Sequence, residues 1–110
     1  MSNMQLVAAV TSSPHPQAGQ SHRSSGNFSY QNLPPGTTSL LWEIDQSNPE
    51  WQSISFDVMQ DVSGGSDPVI FNSLMSGNRT DLDGSGRSLY IANPAHATES
   101  FTVQVYALTN

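Results

Sequence analysis

The sequence predicts an all-β protein, an antiparallel β-sandwich or jelly roll of about 6–8 short strands with an extended N-terminal arm. The first observation is that apolar and polar residues alternate in short runs, which is the period of a half-buried strand. The second is that Gly, Pro, Asn and Ser clusters interrupt these runs about every ten to fifteen residues. The third is length, because 110 residues suit one domain with a modest core.

The N-terminal part of the chain differs from the rest. Residues 5–11 are small and apolar and predict a strand or an arm, whereas residues 12–26 have no apolar period and contain two prolines. A stretch of this length without periodicity is typical of a linker or a long loop. We therefore predict an N-terminal strand or arm with a Pro/Ser/Gly-rich linker over residues 1–26, and a β-sandwich domain over residues 27–110.

Within the predicted domain, alternation places each strand in turn. Leu40, Trp42 and Ile44 fall on one face of their run, and Phe56 shares a face with its apolar neighbours, so both large aromatic side chains are expected in the core. The segment 94–99 predicts one helical turn at most. The predicted strands occupy residues 27–31, 40–45, 53–59, 69–75, 88–92 and 101–108.

Composition excludes several classes of function. The chain has three Arg, no Lys and nine acidic residues, a net charge of −6, whereas a nucleic-acid-binding protein needs a basic surface. It has no Cys, and hence no disulfide framework or thiolate metal site. Residues 4–10 are too short for a membrane span and lack the positive flank of a signal peptide. We expect no nucleic acid or membrane partner, and synthesis in the cytoplasm without a signal peptide.

The residues that resemble catalytic or metal motifs form no complete set. Asp81 and Asp83 precede two glycines, as in the start of a calcium loop, but no third ligand or closing acid follows. A glycine-rich turn is the favoured interpretation, and calcium at Asp81 and Asp83 is a weak alternative. The three His have no ligand spacing and no nucleophile elbow occurs. We therefore expect a non-enzymatic protein without a cofactor.

Some apolar side chains fall on the outward faces of the predicted strands. A contiguous apolar patch of this kind marks an interface, and strands with so few charges lack the usual protection of sheet edges. The alternative is that loops of the sandwich itself cover these faces. The interface candidates are Leu41, Met59, Tyr90, Tyr106 and Leu108.

The whole plan, an arm over residues 4–26 followed by a weakly charged sandwich over residues 27–108, resembles small β-sandwich virion proteins of tailed bacteriophages, namely capsid decoration (cement) and tail accessory proteins. The resemblance implies a structural or assembly protein that binds neighbouring protein subunits, as a homo-oligomer, on a capsid lattice, or both. It also implies a location in the cytoplasm before assembly and in the virion afterwards, and it carries over no functional residue.

A second interpretation is a carbohydrate-binding module or lectin, because sugar sites combine exposed aromatic rings with amide and carboxylate groups. Trp51 is out of phase with the core residues of its strand and is therefore expected at a loop. The ligand-binding candidates are Trp51, Asn48, Asp81 and Asp83, with sugar as the alternative partner. A third, weaker likeness links residues 101–107 to the last strand of β-sandwich domains appended to secreted bacterial proteases.

Overall fold

The computed structural model describes residues 3–110 and contains two antiparallel sheets, which confirms the predicted all-β class. The four-stranded sheet has the order β1-β7-β2-β5 and the three-stranded sheet the order β4-β3-β6. No helix among these residues is long and apolar enough to cross a membrane. The strands are β1 (Asn3–Ser12), β2 (Thr37–Ile44), β3 (Ser55–Gln60), β4 (Val69–Met75), β5 (Asn78–Thr80), β6 (Leu89–Ala95) and β7 (Phe101–Thr109).

The core lies between the two sheets and is centred on Trp42, as the alternation predicts. Trp42 is fully buried, and its Nε1 donates a hydrogen bond of 2.9 Å to the Thr80 hydroxyl. Four aromatic rings surround it with centroids 5.7–6.3 Å away, most of them edge-on, which is a favoured geometry for aromatic pairs. The four rings belong to Phe28, Tyr30, Phe56 and Phe71.

β1 belongs to the sandwich rather than extending away from it. It pairs with β7 from Asn3 opposite Thr109 to Ser12 opposite Phe101, with a bulge at Val7. Val7 and its small apolar neighbours pack against the core. The division predicted at residue 26 therefore does not coincide with a break in contacts. One edge of β7 pairs with β2, and its other edge pairs with β1.

The segment between β1 and β2 runs along the edge of β6. The strand predicted at 27–31 is wrong: only isolated bridges form, at Arg23 opposite Ala92 and Phe28 opposite Leu89. Serine hydroxyls complete the pairing, since the Ile91 amide donates to the Ser25 hydroxyl at 2.8 Å and the Ser24 hydroxyl donates to the Ile91 carbonyl at 3.1 Å. The Ser25 hydroxyl gives the buried Ile91 amide a partner, and the Ser24 hydroxyl is a second donor to the Ile91 carbonyl, which also accepts from the Ser24 amide at 2.9 Å.

Two further predictions are corrected. The short strand β5 lies where the sequence predicted a break after β4, because residues 78–80 pair with β2 after a tight turn at Gly77. The helical turn predicted at 94–99 does not form. Residues 94 and 95 end β6, and His96 has a φ of 64°, which is incompatible with a right-handed helix.

Candidate interaction face

An apolar patch lies at one end of the outer face of the four-stranded sheet. The strand register creates it: Tyr106 of β7 lies between Leu6 of β1 and Leu41 of β2, and Met4 lies opposite Leu108. Met4 is 55% exposed and Leu6 is 50% exposed, whereas Leu108 is almost covered. We call these five residues the outer patch.

Three of the predicted interface residues, Leu41, Tyr106 and Leu108, are thus neighbours in the structure; their role stays a prediction. The sequence interpretation missed Met4 and Leu6, the two most exposed members. Their alternation with Gln5 was the available signal, but it did not reveal that this run would join β7 and share its outward face.

Met59 and Tyr90 do not belong to this patch. They lie on the outer face of the three-stranded sheet, 6% and 3% exposed. Two loops from distant parts of the chain cover them: the Arg23 guanidinium stacks 3.9 Å from the centroid of the Tyr90 ring, and the Tyr90 hydroxyl donates to the Asp67 carboxylate at 2.5 Å. The prediction that Met59 and Tyr90 form an open interface is therefore wrong, because the protein's own loops cover them.

A polar cleft of about 440 Å³ remains between these two loops. Its charged groups form an ion pair, since the Arg23 guanidinium lies 3.2 Å from the Asp61 carboxylate. The side-chain amide of Asn27 donates to the same carboxylate oxygen at 2.8 Å. Asp67 also accepts from the Val62 amide at 3.0 Å. The arrangement fixes both loops over the sheet.

The contact between Tyr90 and Asp67 predicts a stability loss at alkaline pH. Burial, together with the hydrogen bond to Asp67 and the charge of its carboxylate, raises the pKa of Tyr90 from 10.0 to about 12. Because the pKa of Tyr90 is higher in the folded than in the unfolded protein, its protonated hydroxyl stabilises the fold fully below pH 10, and this stabilisation is lost as pH rises through about 12. In Tyr90→Phe, unfolding should release about one proton fewer in this range, seen as a shallower slope of unfolding free energy against pH.

Asp67→Asn tests the cause of that shift, since it removes the carboxylate and leaves Tyr90 in place. The absorbance of tyrosinate should then appear at lower pH than in the unchanged protein. An unchanged slope in Tyr90→Phe, or an unchanged tyrosine titration in Asp67→Asn, would contradict the assignment.

Asn48 and Trp51 serve the structure of the turn between β2 and β3. Asn48 is 6% exposed; its side-chain amide donates to the Ser100 carbonyl at 3.1 Å, and its Oδ1 accepts from the Glu50 amide at 2.7 Å. Trp51 is half-buried and packs against the core. The proposed sugar-binding pair is therefore largely engaged within the protein.

Asp81 and Asp83 form the glycine turn that the sequence favoured. The Asp83 amide donates to the Asp81 carboxylate at 3.1 Å, and the Gly84 amide donates to the Asp83 carboxylate at 3.0 Å. Within residues 3–110, no group of three or more potential His, Cys, Asp or Glu ligands is close enough to hold a metal ion.

The four ligand-binding candidates do not converge. Asp81 follows Thr80, which pairs with Leu40 in the middle of β2, and the antiparallel register leads the chain from there toward the start of β2, whereas Asn48 lies beyond the end of that strand. The two pairs therefore lie in different turns, beyond different ends of β2.

The strands that carry most of the outer patch are free of charge. β1 and β7 contain no acidic residue and no Arg, although the chain has a net charge of −6. In register, the guanidinium-bearing Arg79 lies opposite Leu41 on the far side of the patch. An uncharged face lets a second surface approach without like-charge repulsion.

Comparisons of the chain with protein-family models, curated proteins and solved structures find no significant match.

Proposed function

We propose that this protein is a non-enzymatic structural subunit that binds neighbouring protein subunits through the outer patch. The observation that carries the proposal is the pair Met4 and Leu6, both about half exposed and contiguous with Leu41 and Tyr106. Single exposed apolar residues are ordinary, but a contiguous patch marks a contact surface. Tyr106 adds an amphipathic ring of the type enriched at interfaces.

The patch is small, so one contact is weak. Attachment to a repeating surface strengthens such contacts, because many copies bind the same lattice at once. This supports a role like that of the small virion proteins that the sequence plan resembles, with a capsid or tail lattice as the assembled state. Since β1 is part of the sheet, the folded face itself is the attachment surface.

The methionines provide a direct test. With isotope-labelled methyl groups, the Met4 signal should shift as protein concentration rises, whereas the signal of Met75, which is 38% exposed on β4, should stay constant. Light scattering should show the average mass rising in parallel. A monomer at every concentration with an unmoved Met4 signal would contradict self-association through the patch.

Leu6→Gln should weaken this association about tenfold or more, because it replaces apolar area that the contact buries, and each tenfold change is about 1.4 kcal/mol. The matched control is Val69→Gln on β4, where the side chain is 48% exposed and distant from the patch. Equal effects of the two substitutions would indicate non-specific hydrophobic association rather than association through the outer patch.

A further inference from the structure

The edges of the two sheets differ in how well they are protected. β6 is covered by the bridges from Arg23 and Phe28, and β4 is broken by irregular register with β3 and by a φ of 56° at Ser73. β5 has only three residues, one of them Arg79. β1 has ten residues with no charge and no proline. Long uncharged edges pair readily with another strand, which makes β1 the exception.

The outer edge of β1 is not uniform along its length. At its far end, Ser12 bridges to Ser25, and the Ser13 amide donates to the Ser24 carbonyl at 2.8 Å. In the middle, the bulge at Val7 breaks the regular ladder. The regular stretch before the bulge is residues 3–6, and it includes the two most exposed members of the outer patch.

We propose that this edge pairs antiparallel with the same segment of a second copy, about a two-fold axis at Gln5. The inference rests on the proposed function and deepens it by naming the partner. The axis at Gln5 places Met4 of each copy opposite Leu6 of the other. Apolar side chains therefore meet on both sides of the polar Gln5. Antiparallel pairing of identical strands is self-complementary, as a two-fold interface requires.

The pairing joins the two outer patches into one surface on the same side of a continuous sheet. It also keeps the acidic groups apart, because β1 and β7 of both copies contribute no charge. A two-fold axis at Leu6 instead would place Gln5 opposite Val7, so that the bulged residue lies directly beside the axis. With the axis at Gln5, the regular residues 4–6 pair around the axis, and Val7 is reached only at the outer pair, opposite Asn3.

The contact is small compared with a stable dimer. Three regularly paired strand residues per copy, two of them with apolar side chains, cover less than the roughly 800 Å² per partner of a standard interface. We therefore expect a weak, concentration-dependent dimer that becomes stable where a lattice holds many copies together.

Cysteine cross-linking tests the register, since the chain has no cysteine of its own. Directly opposed residues of an antiparallel pair have Cα atoms about 4.5–5.5 Å apart, and this separation suits a disulfide. Gln5→Cys should form a disulfide-linked dimer under mild oxidation at high protein concentration. The matched control is Ala9→Cys, exposed on the same strand, whose two copies would be about 26 Å apart in this register.

A charge substitution gives a second, independent measurement. Gln5→Lys brings two ammonium groups together at the axis and should weaken dimerisation about tenfold at low salt, with recovery at high salt; Ala9→Lys should have much less effect. If Gln5→Cys links no faster than Ala9→Cys and Gln5→Lys associates normally, while Leu6→Gln still weakens association, the strand pairing is overturned and the proposed function stands. A monomer under all conditions overturns the strand pairing and, with it, self-association through the outer patch.

Discussion

Trp42→Ala is expected to lower the free energy of unfolding by about 3–5 kcal/mol. The indole is fully buried among four aromatic rings, and its Nε1 donates to the Thr80 hydroxyl. Truncation leaves a cavity that the two sheets cannot close without moving, because strand pairing on both sides fixes their backbones. Urea unfolding followed by circular dichroism measures the loss.

Two variants keep this prediction testable if Trp42→Ala does not fold. Trp42→Phe retains an aromatic ring but loses the hydrogen bond and part of the volume, so a smaller loss of about 1–3 kcal/mol is expected. Trp51→Ala removes a half-buried indole at the rim of the core and should cost less than Trp42→Ala. Equal losses at Trp42 and Trp51 would show that the ring cluster around Trp42 is not the centre of the core.

Gly84→Ala is expected to lower the free energy of unfolding by about 2–4 kcal/mol, through backbone strain and overpacking together. Gly84 has a φ of 84°, and a Cβ there would lie 2.8 Å from the Tyr30 hydroxyl and 3.3 Å from Cγ2 of Ile70. Tyr30 has little room to move, because its ring packs against Trp42 and its hydroxyl donates to the Asp83 carbonyl. Thermal or urea unfolding measures the change.

Gly86→Ala is the matched control in the same turn. Its φ of 78° gives similar backbone strain, but no atom lies within 4 Å of the added Cβ. We expect a loss of about 1 kcal/mol from the backbone alone. If both substitutions cost the same, the contact between Gly84 and Tyr30 does not constrain the turn.

The sequence predicted the strands well wherever a strand has one buried face. β2, β3 and β7 each alternate over several residues, and the structure buries the apolar residues of the inward parity. It failed at 27–31, where alternation is present but the segment forms isolated bridges to β6 instead. It also missed β5, because three residues are too few to show a period.

The candidate site was predicted only in part, for a related reason. Parity along a strand tells which face a side chain occupies, and it placed Leu41, Tyr106 and Leu108 correctly on the outward side of their sheet. Parity does not tell what covers that face. Tyr90 lies outward too, yet Arg23 and Asp67, each more than twenty residues away along the chain, bury it.

By itself, the sequence determined the fold class, the core face of most strands and the absence of charge along β1 and β7, because these follow from residue type and from a period of two. Only the tertiary structure decided that β1 joins β7, that one outward face is covered by loops and that Met4 and Leu6 extend the other. Those outcomes depend on contacts between distant segments, and a local pattern does not encode which edge or loop a strand will meet.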